Sequence, residues 1–223
     1  MKVTILAASP RPDGNSRALA DALAGGARGA GHDAQVFDLN AHTGGGLLRD
    51  CRSCRGADGE CSIADGYRDL LFDHVLPADA LVYATPLYWY GMAASLKNWF
   101  DRTTCYISAS HPRSPEVMDG LAGKHVGLLI SSEERYPGST LGMVAQVQET
   151  TRYLGQRFVG VVNGVGNRRG EVDRDPSDPL AAAAGLGAEL DTLRYTDYRL
   201  RSERAGSVWG VDPAAPVGSF RDL

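Results

Sequence analysis

The chain opens with a short run of β-branched and apolar residues, Lys2 to Ala8, that breaks into Ser9-Pro10-Arg11-Pro12-Asp13-Gly14. From Asn15 the pattern resumes at helical spacing. Leu19 and Leu23 fall four apart, with alanines between, until Gly29 and Gly31. Asp33 to Leu39 (DAQVFDL) then returns to strand chemistry. A strand, a helix and a second strand joined this tightly imply a parallel pair with a helical crossover, because a hairpin cannot connect parallel strands. That unit places the chain among α/β folds.

The rest of the sequence repeats the alternation. Tyr67 to Leu76 is expected to be a helix ended by Pro77, and Ala80 to Ala84 (ALVYA) a third strand buried on both faces. Thr85 to Gly91 (TPLYWYG) reads as a loop and Met92 to Thr104 as a helix, with Leu96, Trp99 and Phe100 on one side. Asp119 to Gly123 reads as a turn, His125 to Ser131 as a fourth strand, Ser139 to Leu154 as a helix and Phe158 to Val162 as a fifth strand. A last helix starts at Asp178-Pro179, with proline in its first turn, and is expected to run to about Leu200. Five strands alternating with helices, and no sixth unit, predict a doubly wound parallel sheet of order 2-1-3-4-5. Ligands of such sheets bind beyond the carboxyl ends of the strands, at the switch point between strands one and three. The expected main body is residues 1–200, with an insertion at 40–66 and an extended tail at 201–223.

Charge and apolar content exclude several roles. With 23 Lys+Arg against 27 Asp+Glu, the net charge of −4 removes the counterion-release drive of a general nucleic-acid binder. It equally disfavours an anionic membrane surface. There is no run of 18 apolar residues that would span a bilayer. The apolar start is too short for a signal peptide's core, so a cytoplasmic protein is expected. Arginine outnumbers lysine twenty to three, a bias that gives an isolated arginine little functional weight.

Two loops carry the chemistry. Ser9 to Arg17 offers exposed amides at a helix start, with Ser9, Asn15 and Ser16 as short hydrogen-bonding side chains and Arg11 and Arg17 as charge. That combination suits a phosphate, and without a Walker lysine it is no nucleoside-triphosphatase loop. The plainer reading is a helix capped by Asn15 or Ser16. The second loop, Thr85-Pro86-Leu87-Tyr88-Trp89-Tyr90-Gly91, puts three consecutive aromatics beyond a strand's carboxyl end. They suit a planar aromatic ligand, a subunit interface, or packing beneath the loop. Gly91 would permit close backbone approach.

Ser9-Pro10-Arg11 with Asn15-Ser16, then Thr85 to Met92, then Leu96-Lys97-Asn98-Trp99-Phe100-Asp101-Arg102, resembles the NAD(P)H-dependent FMN reductase family of flavodoxin-like proteins, near its iron–sulfur flavoprotein branch. The resemblance covers roughly residues 1–165. It implies FMN, with Ser9, Arg11, Asn15 and Ser16 on its phosphate and Pro86, Leu87, Tyr88, Trp89 and Gly91 along its ring system. It also implies a homodimer or homotetramer, with the helix from Leu96 to Arg102 near the interface. NAD(P)H would be the co-substrate. The acceptor would be a small quinone, a nitro or azo aromatic, or free flavin, reduced in a ping-pong course. The family's glycine-rich stretch after strand four is replaced here by Ser131-Ser132-Glu133-Glu134-Arg135-Tyr136, and two acids beside a flavin would lower its potential.

Other readings remain beside this one. A non-catalytic FMN electron carrier would share the fold. Cys51, Cys54 and Cys61 fall in the insertion, one short of the four-cysteine set of an iron–sulfur flavoprotein; Cys105 is distant in sequence, and His42 could complete a zinc site instead. Either a Cys51–Cys54 disulfide or a vestigial insertion would also account for these thiols, and no metal is expected. Gly164 to Gly170 (GVGNRRG) has the look of a dinucleotide fingerprint, but its spacing is wrong and it leads into no helix, so it reads as a plain loop. The Trp209, Pro213 and Pro216 tail is expected to wrap across a partner subunit.

Overall fold

The computed structural model describes residues 1–50, 55–136 and 138–192. Five parallel strands form its centre: β1 (Lys2–Ala7), β2 (Asp33–Asp38), β3 (Ala80–Tyr88), and, beyond a two-residue strand β4 (Gly91–Met92), β5 (His125–Ser132) and β6 (Arg157–Val165). Their order is β2-β1-β3-β5-β6, which is 2-1-3-4-5 when only the parallel strands are counted. β4 pairs with β3 alone, antiparallel, through Leu87–Met92 and Tyr88–Gly91.

Side chains alternate between the two faces of the sheet, and both faces are covered. Val3, Ile5, Val82 and Ala84 pack under α1 (Asn15–Gly29) and α7 (Pro179–Ala188). Leu6, Leu81, Tyr83, Leu128 and Ile130 pack on the other face under α4 (Ala94–Ile107), α6 (Gly138–Tyr153) and the helix that begins as α3 (Tyr67–Asp69). That helix continues over Leu70–Val75 in wider π turns. The α1–α7 contact is backbone to backbone. A Cβ at Gly26 would fall 2.0 Å from the carbonyl oxygen of Ala184, and one at Gly187 2.2 Å from that of Leu23.

Four elements differ from the sequence expectation. The loop expected at Thr85–Gly91 is mostly strand: β3 runs on to Tyr88 and turns into β4. The turn expected around Asp119 is the end of a helix, α5 (Ser114–Leu121), with proline at its start. The insertion holds a short helix, α2 (Leu39–His42), and an Arg55–Cys61 bridge. α7 stops at Ala188 rather than near Leu200, where Glu189 donates its N–H to Gly185 and Leu186. The tail expected at 201–223 lies outside the described residues.

The insertion is fastened to α4 by polar side chains. Asn98 accepts from the N–H of Leu48 at 3.2 Å and donates to the carbonyl of Gly46 at 2.9 Å. Arg102, fully buried, grips Asp65 with two bonds of 2.6 and 2.8 Å and lies over the Tyr67 ring at 4.3 Å. Burial works to raise the Asp65 pKa, but the Arg102 hydrogen bonds and charge and the N–H groups of Tyr67 and Gly45 outweigh it, so the carboxyl stays below the ordinary range.

Candidate active site

The cleft opens at the carboxyl ends of β1, β3 and β5, where the strand order reverses direction. Its first wall is the loop from Ser9 into α1. The residue preceding that helix is Gly14, which has no side chain to satisfy the first N–H groups, and the first turn carries no acid. The positive end of α1 therefore faces the cleft uncapped, the condition for an anion site.

Each sequence candidate in this loop has a defined place. Ser9 Oγ is engaged within the loop, accepting from the N–H of Arg11 at 3.1 Å and lying 3.2 Å from its carbonyl. Ser16 Oγ meets Ser131 Oγ at 2.7 Å, tying the first wall to the third. Asn15 spends its side chain elsewhere, donating to the carbonyls of Gly166 and Arg168 at 3.0 Å each. Ser9, Arg11, Asn15 and Ser16 all line the cleft. Arg17 instead pairs with Asp21 one turn along the helix.

The second wall is the end of β3. Pro86, Leu87 and Tyr88 line the cleft; Trp89 and Gly91 do not. Trp89 and Tyr90 form a two-residue turn with φ of 51° and 61°, the left-handed geometry of a type I′ hairpin. Aromatic residues tolerate it poorly, at roughly 1–2 kcal/mol each. Thr85 anchors the base of the hairpin, accepting from the N–H of Ala93 at 3.0 Å. At the tip Trp89 is 96% exposed and Tyr90 53%, so neither is packed under the loop. Tyr90 donates its hydroxyl to Glu134 at 3.0 Å, and that carboxylate raises the phenol's pKa. A Cβ at Gly91 would meet only the Tyr88 carbonyl, at 3.7 Å, so no contact within the protein requires glycine there.

The third wall comes from the end of β5, with Ser131, Ser132 and Glu133 on the cleft. Ser132 Oγ donates to the Glu134 carbonyl at 2.9 Å and holds this turn without glycines. The fourth wall, Gly166 to Arg169, is the segment the sequence reading set aside. It is not a dinucleotide fingerprint, since no helix opens at it; the next element is a 3-10 turn, Glu171–Arg174. It belongs to the cleft because Asn15 draws it across to the start of α1. A glycine-rich loop at the carboxyl end of a strand was the available signal.

Neither described cysteine, Cys61 or Cys105, lines this cleft. Cys61 is half-buried and Cys105 is buried in α4, whereas Cys51 and Cys54 lie outside the described residues. Among the described residues no cluster of three or more His, Cys, Asp or Glu could hold a metal ion. His42 sits edge-on to Phe37, with Nδ1 3.4 Å from the Gly66 carbonyl. No helix among the described residues is long and apolar enough to cross a membrane.

A doubly wound sheet with an uncapped helix start at its switch point, faced by an aromatic hairpin, defines a flavodoxin-like protein. The chain belongs to the flavodoxin-like fold family, whose model matches residues 1–185. It is 28% identical over 193 residues to YwqN of Bacillus subtilis, named an NAD(P)H-dependent FMN-containing oxidoreductase; the match covers 86% of this chain and all of that one. It is 25% identical over 170 residues to an FMN-dependent NADH:quinone oxidoreductase of Alkalilimnicola ehrlichii, covering 74% and 82%. Among solved structures, the Trp repressor binding protein of Bacillus subtilis superposes with a TM-score of 0.63 at 25% identity, over 82% of this chain and 99% of that one.

Proposed function

We propose that this chain is an FMN-dependent oxidoreductase that takes hydride from NAD(P)H and passes reducing equivalents to a small quinone, a nitro or azo aromatic, or free flavin. The single observation that carries the reading is the cleft itself, an uncapped helix start beside Arg11 facing the wall of Pro86, Leu87 and Tyr88. A phosphate needs N–H donors and positive charge, and a flavin ring needs an apolar edge; the residues present supply both. The names of the related oxidoreductases support the same cofactor and the quinone class of acceptor.

In this reading the first-turn N–H groups of α1 and the Arg11 guanidinium hold the phosphate. Ser9 and Ser16 keep the loop and the Ser131 turn in register. Pro86, Leu87 and Tyr88 flank the ring system, and Trp89, Tyr90 and Gly91 border the space left for donor and acceptor. Bound FMN supplies the hydride acceptor and donor. The backbone N–H groups of the hairpin offer fixed dipoles to charge developing on the ring, without catalytic side chains of their own. The exposed Trp89 and Tyr90 fit assembly as a homodimer or homotetramer, in which a second copy covers the tip.

A single site serving donor and acceptor in turn gives ping-pong kinetics. Initial rates with NADH and with NADPH, at several fixed concentrations of a soluble quinone, are expected to give parallel double-reciprocal lines. Intersecting lines would refute the shared site. No oxidation of either nucleotide by FMN-loaded protein would refute the oxidoreductase reading.

A further inference from the structure

The loop after β6 is the least explained wall of the cleft, and it is held more firmly than a plain connection needs. Val165 donates its N–H to Asp175 at 2.7 Å, and Gly166 donates to the Ser132 carbonyl at 2.8 Å. The N–H groups of Asn167 and Arg168 both donate to Glu171 Oε2, at 3.0 and 2.8 Å. Those two bonds hold the Glu171 carboxyl below its ordinary pKa. Asn167 Nδ2 reaches Glu133 at 3.2 Å, and Arg169 pairs with Asp13 across the cleft mouth at 3.1 Å. Asn15, nine-tenths buried, clamps the loop from below through the carbonyls of Gly166 and Arg168, and its Oδ1 lies 3.4 Å from the Val172 nitrogen. Close approach is built in at Gly166, where a Cβ would lie 2.8 Å from Asn15 Nδ2 and 2.9 Å from the Val172 nitrogen.

Within this loop, one cleft-lining charge is left over. Arg168 lines the cleft, and among the described residues its guanidinium makes no ion pair; Glu171 acts on it only through space. Its own backbone carbonyl is bonded to Asn15, the first residue of α1. Its backbone is thus anchored at the helix start that already faces the cleft, and the natural counter-charge for its exposed guanidinium is an anion seated on that helix.

We propose that Arg168 is a ligand of the cofactor's phosphate, and that Asn15 is a positioning residue that holds the Arg168 backbone at the start of α1. This rests on the reading of the cleft as an FMN site and adds to it a residue from the far edge of the sheet. The 5′-phosphate is the only group that distinguishes FMN from riboflavin. Arg168 therefore selects the phosphorylated flavin and leaves the ring untouched.

The test is a pair of titrations, FMN and riboflavin, into wild type and Arg168→Ala, followed by flavin fluorescence. The side chain is exposed and unpaired, so the variant is expected to fold. FMN affinity should fall about tenfold to a hundredfold, the range for a hydrogen bond to a charged group, and riboflavin affinity should stay within about twofold. Arg168→Lys should recover part of the loss, and the salt dependence of FMN binding should flatten in Arg168→Ala. Unchanged FMN affinity would overturn the proposal. Equal weakening of FMN and riboflavin would overturn it too, because it would make Arg168 a structural part of the wall. Failure of the wild type to take up either flavin would instead refute the FMN site itself.

Discussion

The cleft rim and the underside of the insertion both concentrate arginine, and they use it in opposite ways. Under the insertion, Arg102 is fully buried, forked onto Asp65 and stacked on Tyr67, so its charge is consumed in holding Asp65, near the end of the insertion, against α4. On the rim, Arg11 and Arg168 make no ion pair among the described residues, and Arg169 has only an exposed partner in Asp13. A buried guanidinium must be paired or the fold loses several kcal/mol, whereas an exposed one is free to answer a ligand. Lys124, just before β5 at the opposite end of the strands from the cleft, belongs with Arg102. It is buried with Nζ donating to the carbonyls of Leu76 and Ala78, and its pKa is pushed down to about 8 by burial, with the Asp79 charge opposing.

The contrast breaks most readily at Asp65. Asp65→Asn leaves Arg102 buried without its counter-charge, and urea unfolding at neutral pH should show a loss of about 3–5 kcal/mol. The folded pKa of Asp65 lies below its unfolded value, so the stabilisation is present above about pH 4 and fades as acid protonates the native carboxyl. The difference between wild type and variant should shrink accordingly. A loss below about 1 kcal/mol at neutral pH would place Arg102 with the rim group instead.

Lys124 sharpens the same point with the opposite sign. Its folded pKa of about 8 lies below the unfolded value, so the unfolded chain binds more protons between that pH and about 10.4. Relative to Lys124→Met, wild-type stability should rise by roughly 1–2 kcal/mol as pH climbs through that window, a shift discounted for partial screening. A flat difference would mean the amine is well solvated.

Rim substitutions should do the reverse of the buried ones. Arg11→Ala should weaken FMN about tenfold while shifting unfolding by less than about 0.5 kcal/mol. Tyr90→Phe removes an exposed bond to Glu134; it should leave FMN affinity unchanged and move the quinone KM by less than about threefold. A fall in stability with either substitution, seen in the same urea titrations, would show that the rim also holds the fold.

Much of this architecture was legible because it is periodic. Five apolar strands separated by helical spacing fixed the sheet order, and the switch point followed from it. What escaped detection depends on contacts distant in sequence. Nothing near Gly166 shows that Asn15, 151 residues earlier, will bond to it. Asn15 read as a phosphate ligand because the helix start is the local signal, while its side chain is committed to the opposite wall. The β3–β4 hairpin was hidden because Trp89 and Tyr90 occupy positions that normally call for Asn-Gly. α5 is short and contains Gly120, which breaks its helical pattern. The insertion has no period of its own to read, because its described residues near Gly46 and Asp65 are held by Asn98 and Arg102 of α4. Among twenty arginines, sequence offered no means of telling Arg102 from Arg168; burial does.

The most direct test of the FMN oxidoreductase reading is an absorption spectrum of the protein under anaerobic conditions, loaded with FMN and freed of excess, before and after NADPH and then NADH. Retained flavin bands that bleach within seconds of adding either nucleotide are expected, and the faster nucleotide identifies the donor. Retained bands that neither nucleotide bleaches would contradict an NAD(P)H-dependent enzyme, and flavin that washes away completely would contradict the site.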